Sequence, residues 1–177
     1  RPLLERIREL WREQRADLVG QARQLTGHLR ARAAADGARA ARLGEPSCDA
    51  IAELRQTFDP VFGGFGRAPK FPPCSALELL LRAHRRTGDA ALLAMVTRTL
   101  DAMAAGGLYD HLAGGFARYS TDERWLVPHF EKMLYDNAQL ARVYLHAFQV
   151  TGDQNYARVA RETLDYVLRD MQAPEGG

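Results

Sequence analysis

Two short signatures recur in this chain at one offset. Thr87-Gly88-Asp89 returns as Thr151-Gly152-Asp153, and Thr99-Leu100-Asp101 returns as Thr163-Leu164-Asp165, each 64 residues later. Glycine after a threonine supplies a left-handed helix cap, and the aspartate that follows suits the N-cap of a second helix. Each Thr-Gly-Asp therefore marks a tight turn between two helices. A single helical hairpin cannot cover its own apolar face, so hairpins repeated at a fixed period stack on one another in an arc or a ring. With about two and a half such units, a ring would be incomplete. The expected class is all-α.

The remaining punctuation fills in this frame. A helix is expected from Ser47 to Phe58, followed by the Gly- and Pro-rich stretch DPVFGGFGRAPKFPP, which cannot be helical. Ser75 with Glu78 reads as a capping box for the next helix, which ends at Thr87. Alternating residues near 115–127 indicate a short β-hairpin excursion. Pro128 suits the first turn of a helix reaching Val150. On that helix Met133, Leu134, Leu140, Ala141, Tyr144, Leu145 and Phe148 form an apolar arc broad enough for an inner helix of a double ring. Residues 3–31 carry apolar side chains at helical spacing, whereas 33–46 lack a consistent face and read as a linker.

Charge is unevenly spread. Residues 1–43 hold ten Arg against five acids, while the rest of the chain is net acidic. Glu5, Glu9, Glu13 and Asp17 interleave with the arginines, which suits a solvated helix laced with side-chain pairs rather than a nucleic-acid surface. No apolar run approaches the roughly 20 residues of a membrane span, so no membrane partner is expected. Cys48 and Cys74 form neither a CxxC nor a metal-ligand cluster, which gives no signal for a metal or a redox cofactor and fits a cytoplasmic setting.

Chemistry concentrates in Gly106–Asn137. His129 and His111 can carry protons, and Asp110, Glu131 and Asp136 are carboxylates able to tune or partner them. Arg118 and Lys132 suit an anionic or hydroxyl-rich ligand, and Tyr119 and Trp125 offer stacking faces for a sugar ring. Asn137 falls inside the apolar arc, where it either meets a ligand or holds neighbouring loop backbone. Arg67 and Lys70, in the earlier glycine-rich loop, are further candidates for reaching into a cavity. That loop precedes no GK[ST] element and is not a phosphate-binding P-loop.

The motifs FGGFGRAPKFP (Phe62–Pro72), GGLYDHLAGGFARYSTDERWLVPHFEKMLYDNAQL (Gly106–Leu140) and PEGG (Pro174–Gly177) resemble the spermatogenesis-associated protein 20 family, whose bacterial members are YyaL-type thioredoxin domain-containing proteins. Ala113 stands where that family usually has glycine. The resemblance implies a thioredoxin-like domain followed by an (α/α)6 toroid similar to six-hairpin glycosidases and N-acylglucosamine 2-epimerases. Residues 1–32 would then be the exit helix from a missing thioredoxin-like domain, 33–46 the linker, and 47–177 a partial toroid. On this reading the chain is a fragment whose uncovered apolar faces favour self-association. The toroid is expected to bind or process a carbohydrate, by epimerase- or isomerase-like or by glycosidase-like chemistry. The alternative is a non-catalytic binding or scaffold module serving the thioredoxin-like domain. Fold analogy does not choose between them.

Overall fold

A computed structural model describes residues 2–40 and 46–176, with side chains for 4–32 and 47–176. The described residues form two units divided after Asp49. The first holds helices α1 (Pro2–Glu13) and α2 (Arg15–Ala40), with the Arg15 guanidinium over the Trp11 ring at 4.9 Å. α2 continues through Ala40, well into the stretch that reads as a linker; Ala31, Ala33, Ala34 and Ala35 are strong helix formers even without an apolar face to bury. Residues 41–45 of that expected linker lie outside the described residues.

The second unit is built from α3 (Pro46–Thr57) from Ala50 onward, α4 (Cys74–Thr87), α5 (Ala90–Ala105), α6 (Leu134–Thr151) and α7 (Gln154–Tyr166), which runs into a π-helical turn at Val167–Met171. The repeat is realised atom for atom at its turns. Gly88 and Gly152 cap α4 and α6 at φ +73° and +75°, and Asp89 and Asp153 each accept a hydrogen bond from the backbone N–H two residues on, at 2.9 Å. Thr99 and Thr163 each donate to the carbonyl four residues back. The core joins Leu77, Leu80 and Leu81 of α4, Val96, Leu100 and Met103 of α5, Leu140, Val143 and Tyr144 of α6, and Tyr156, Val159 and Ala160 of α7.

Tight Gly-Asp turns link α4 to α5 and α6 to α7, while long segments (58–73 and 106–133) precede α4 and α6. Antiparallel hairpins alternate the ends at which they connect, so both long segments gather at the N-terminal ends of α4 and α6. There β1 (Tyr119–Ser120) pairs antiparallel with β2 (Pro128–His129), and Lys70 bridges to Ser120 in both directions at 2.8 and 2.9 Å. The expected β-hairpin is therefore present, with its second strand just past 127.

Two sequence expectations are corrected at this end. Pro128 does not open a helix: the Asp122 carboxylate accepts from the Arg124, Leu126 and Val127 N–H groups, and the turn it makes returns Pro128 to Ser120. α6 therefore starts at Leu134, and its apolar arc is narrower than the wheel implies, with Leu134 and Leu145 exposed. The Ser75–Glu78 capping box also fails to form, because α4 begins at Cys74 with Pro73 at its N-cap.

Trp125 holds this loop layer together. Its side chain is fully buried, its backbone is left-handed at φ +65°, and its indole N–H donates to the Phe62 carbonyl at 2.9 Å. A Cβ on Gly106 would lie 2.3 Å from the Trp125 carbonyl oxygen, and one on Gly64 would lie 2.6 Å from the indole. Gly106→Ala is therefore expected to lower stability by about 3 kcal/mol through overpacking. Gly88→Ala, which meets open space and only the left-handed backbone, should cost about 1 kcal/mol. Urea denaturation of both variants checks the ranking, and equal losses would show that the contact with Trp125 yields easily.

Candidate functional site

The residue types singled out in the sequence divide into two groups. The first holds the loops in place. Asn137 is fully buried; its Oδ1 accepts from the Phe116 N–H at 2.7 Å, and its Nδ2 donates to the Phe116 and Met133 carbonyls. Lys70 is 2% exposed and donates to the Asp59 carboxylate at 2.5 Å and to the Gly63 carbonyl at 2.8 Å. The enclosed Trp125 presents no face to solvent.

Asp110 accepts from the Leu112 and Ala113 N–H groups and from Lys132 at 2.8 Å. Lys132 also donates to the Gly114 carbonyl and lies 4.2 Å over the Tyr166 ring. The Lys132 hydrogen bond, with help from the two N–H groups, pulls the Asp110 carboxyl down to about 2. His111 donates from Nε2 to the Gly106 carbonyl at 2.9 Å and meets Tyr109 edge-on. The Tyr109 hydroxyl in turn donates to Glu162. Arg67 lies exposed on the 58–73 segment, and the structure does not bring it to the rest.

The second group faces outward at the N-terminal ends of α4 and α6. The β1–β2 register sets Tyr119 opposite His129, and their rings stack with centroids 4.8 Å apart and planes 13° apart. Phe71 stacks on the other side of Tyr119 at 4.7 Å. Phe71 and His129 are exposed and Tyr119 is half-buried, so the three rings make an accessible aromatic column.

Arg118, next to Tyr119, is tied to Glu131 twice: by its N–H to the Glu131 carbonyl at 2.7 Å and by a side-chain pair at 3.2 Å. Asp136, in the first turn of α6, has a buried Oδ2 for which the described residues provide no hydrogen-bond partner. Burial raises its pKa, against the opposing field of Arg118. Burial, reinforced by the negative field of Asp136, pushes the Cys74 thiol up to about 12.

Arg118, Tyr119, His129, Glu131 and Asp136 are thus brought together, while Asp110, His111, Lys132, Asn137, Trp125 and Lys70 form the frame behind them. Phe71 is the member that sequence reasoning did not single out. Its signal was an aromatic between Lys70 and Pro72 in a loop that could not be helical.

The Asp110–Lys132 pair gives a pH test. A depressed carboxyl stabilises the fold above its ordinary value of 3.8, and that contribution fades as pH falls through about 2. Lys132→Met is expected to be less stable than wild type by about 1–2 kcal/mol at pH 7, since the pair is only partly buried. The two proteins should converge near pH 2. A difference independent of pH in acid titrations followed by circular dichroism would assign the loss to packing.

No family model matches this chain. Human spermatogenesis-associated protein 20 is 41% identical over the whole chain, and the mouse protein 40%. The chain spans 23% of the length of each. Among solved structures, a sugar epimerase from a ruminal bacterium aligns over 72% of this chain and 36% of its own, with TM-score 0.65 and 16% identity. The cellobiose 2-epimerase of Spirochaeta thermophila aligns over 74% and 37%, with TM-score 0.60 and 23% identity. At these identities the likeness concerns fold: the hairpins are part of an (α/α)6 toroid of the six-hairpin glycosidase type. Sequence identity near 40% from end to end is the stronger relation, and by it the chain belongs to the spermatogenesis-associated protein 20 family, spanning about 23% of the length of its human and mouse members.

Proposed function

We propose that this segment contributes part of a carbohydrate-binding pocket at the N-terminal ends of α4 and α6, and that the complete toroid processes the bound sugar. The observation that carries the reading is the accessible Phe71–Tyr119–His129 column beside the Arg118–Glu131 pair. Sugar rings present C–H faces that lie against aromatic rings and hydroxyls that need paired donors and acceptors at the edge. The column supplies the first, and Arg118 with Glu131 the second.

Two groups on this face can carry a proton. His129 carries an imidazole, a side chain able to take up and release a proton, and Asp136 has a carboxyl that burial keeps protonated to higher pH than usual. A base and an acid in one pocket suit proton transfer at a carbon next to a carbonyl, the step that isomerisation and epimerisation require. The shared fold with proteins described as sugar epimerases supports the same direction. The wider setting of the proposal, a cytoplasmic protein that also carries a thioredoxin-like domain, is supported by the motif resemblance and by two cysteines without redox or metal spacing.

The intact parent protein is the material for the test. Mono- and disaccharides are screened by NMR, following line broadening for binding and new anomeric signals for turnover. Wild type is expected to convert one sugar class, with His129→Ala and Asp136→Asn each reducing the rate about a hundredfold or more. Tyr119→Ala is expected to weaken binding about tenfold. Absence of binding across the panel would overturn the carbohydrate reading in favour of a scaffold for the thioredoxin-like domain.

A further inference from the structure

The 64-residue repeat that aligns α4 with α6 also aligns their outward side chains. Glu78 and Arg82 on α4 occupy the positions of Arg142 and His146 on α6. The two helices pack side by side, so two pairs spaced i, i+4 face one groove. Glu78, Arg82, Arg85, His146 and Gln149 line it, around a cavity of about 610 Å³. Glu78 lies one helical turn along α4 from Cys74, about 6 Å of axial rise, and His146 lies roughly 15 Å along α6 from Asp136. The groove therefore lies further along both helices than their N-terminal ends, where the aromatic column stands, and shares none of the column's residues.

The charges in this groove do not balance. Among the described residues lining it, Glu78 alone is acidic, against Arg82 and Arg85, with Arg142 reaching the same carboxylate. The Glu78 side chain is only 10% exposed and accepts a hydrogen bond from His146 Nδ1 at 2.7 Å. A carboxylate only accepts, so the proton sits on Nδ1, and Nε2 is the nitrogen left for a ligand. Arg82 and Arg142 stand 3.7 and 3.6 Å from Glu78, beyond hydrogen-bonding distance. Elsewhere in the chain an arginine meets its acid closely, as in Arg55–Asp89 at 2.5 Å and Arg158–Glu162 at 2.8 Å. One buried carboxylate thus gathers guanidinium groups whose N–H donors it does not use. Planar forks of this kind match carboxylate and phosphate oxygens.

We propose that the α4–α6 groove binds the anionic group, carboxylate or phosphate, of a charged sugar. Arg82, Arg85 and Arg142 donate to that group, and Glu78 holds His146 so that Nε2 accepts from a neighbouring sugar hydroxyl. The proposal rests on the carbohydrate reading of the pocket and narrows its substrate class from sugars to anionic sugars.

Calorimetric titration of the full-length protein with glucose, glucuronate, glucose 6-phosphate and inorganic phosphate tests it. At least one charged sugar is expected to bind about tenfold or more tightly than glucose, and the preferred one tells carboxylate from phosphate. In the Arg82→Gln/Arg142→Gln double variant that preference should fall to about unity, and the Lys counterparts should restore part of it. Both side chains are more than half exposed, so the variants are expected to fold, with circular dichroism as the check. Equal affinity for glucose and both charged sugars, or an undiminished preference in the double variant, overturns the proposal while leaving the carbohydrate reading intact. Failure of every sugar to bind overturns both, and binding of inorganic phosphate alone would replace them with a plain anion site.

Discussion

The loop layer depends on the enclosure of one indole. Trp125 can be buried with a left-handed backbone only because Gly106 and Gly107 let the carbonyls of Trp125 and Leu126 approach to distances that any Cβ would forbid, and because Gly64 leaves room beside the ring. Once seated, the indole takes up the Phe62 carbonyl, and the ammonium of Lys70 lies 5.7 Å from its centre. Lys70 then pairs its backbone with Ser120, which brings Phe71 against Tyr119 and, through the strand register, Tyr119 against His129. The exposed column is the outermost layer of an arrangement whose innermost layer is a buried tryptophan.

The parts of the fold that could be read from sequence are those decided by neighbours along the chain. The Gly88 and Gly152 caps, the Asp89 and Asp153 N-caps and the helices they bound are local events, and they stand as expected. Where distant partners decide, local preference loses. Pro128 favours a helix start, but its pairing with Ser120 across the Asp122 turn outweighs that preference. Glu78 three residues after Ser75 suggests a cap, but its carboxylate is engaged by His146, 68 residues away.

The same division explains the site. The sequence flagged a dense polar and aromatic segment but could not sort it, because Lys70, Trp125, Lys132 and Asn137 belong to residue types used equally for ligands and for buried support. What separates them is whether a partner 11 to 63 residues away already satisfies them, as Asp59 does for Lys70 and Phe62 for Trp125. Asp136 stands out by the opposite criterion, an enclosed oxygen that the described residues leave unsatisfied.

The Thr-Gly-Asp turns also bear on the order in which this unit assembles. Each joins two helices through contacts close in sequence, and such contacts close at small entropic cost. The Trp125–Phe62 hydrogen bond spans 63 residues and closes around the whole α4–α5 hairpin. The helical frame is thus kinetically cheap, and the aromatic column belongs to the late, long-range part of folding. Opening of the loop layer without loss of the helices is the partial unfolding that this architecture makes most accessible.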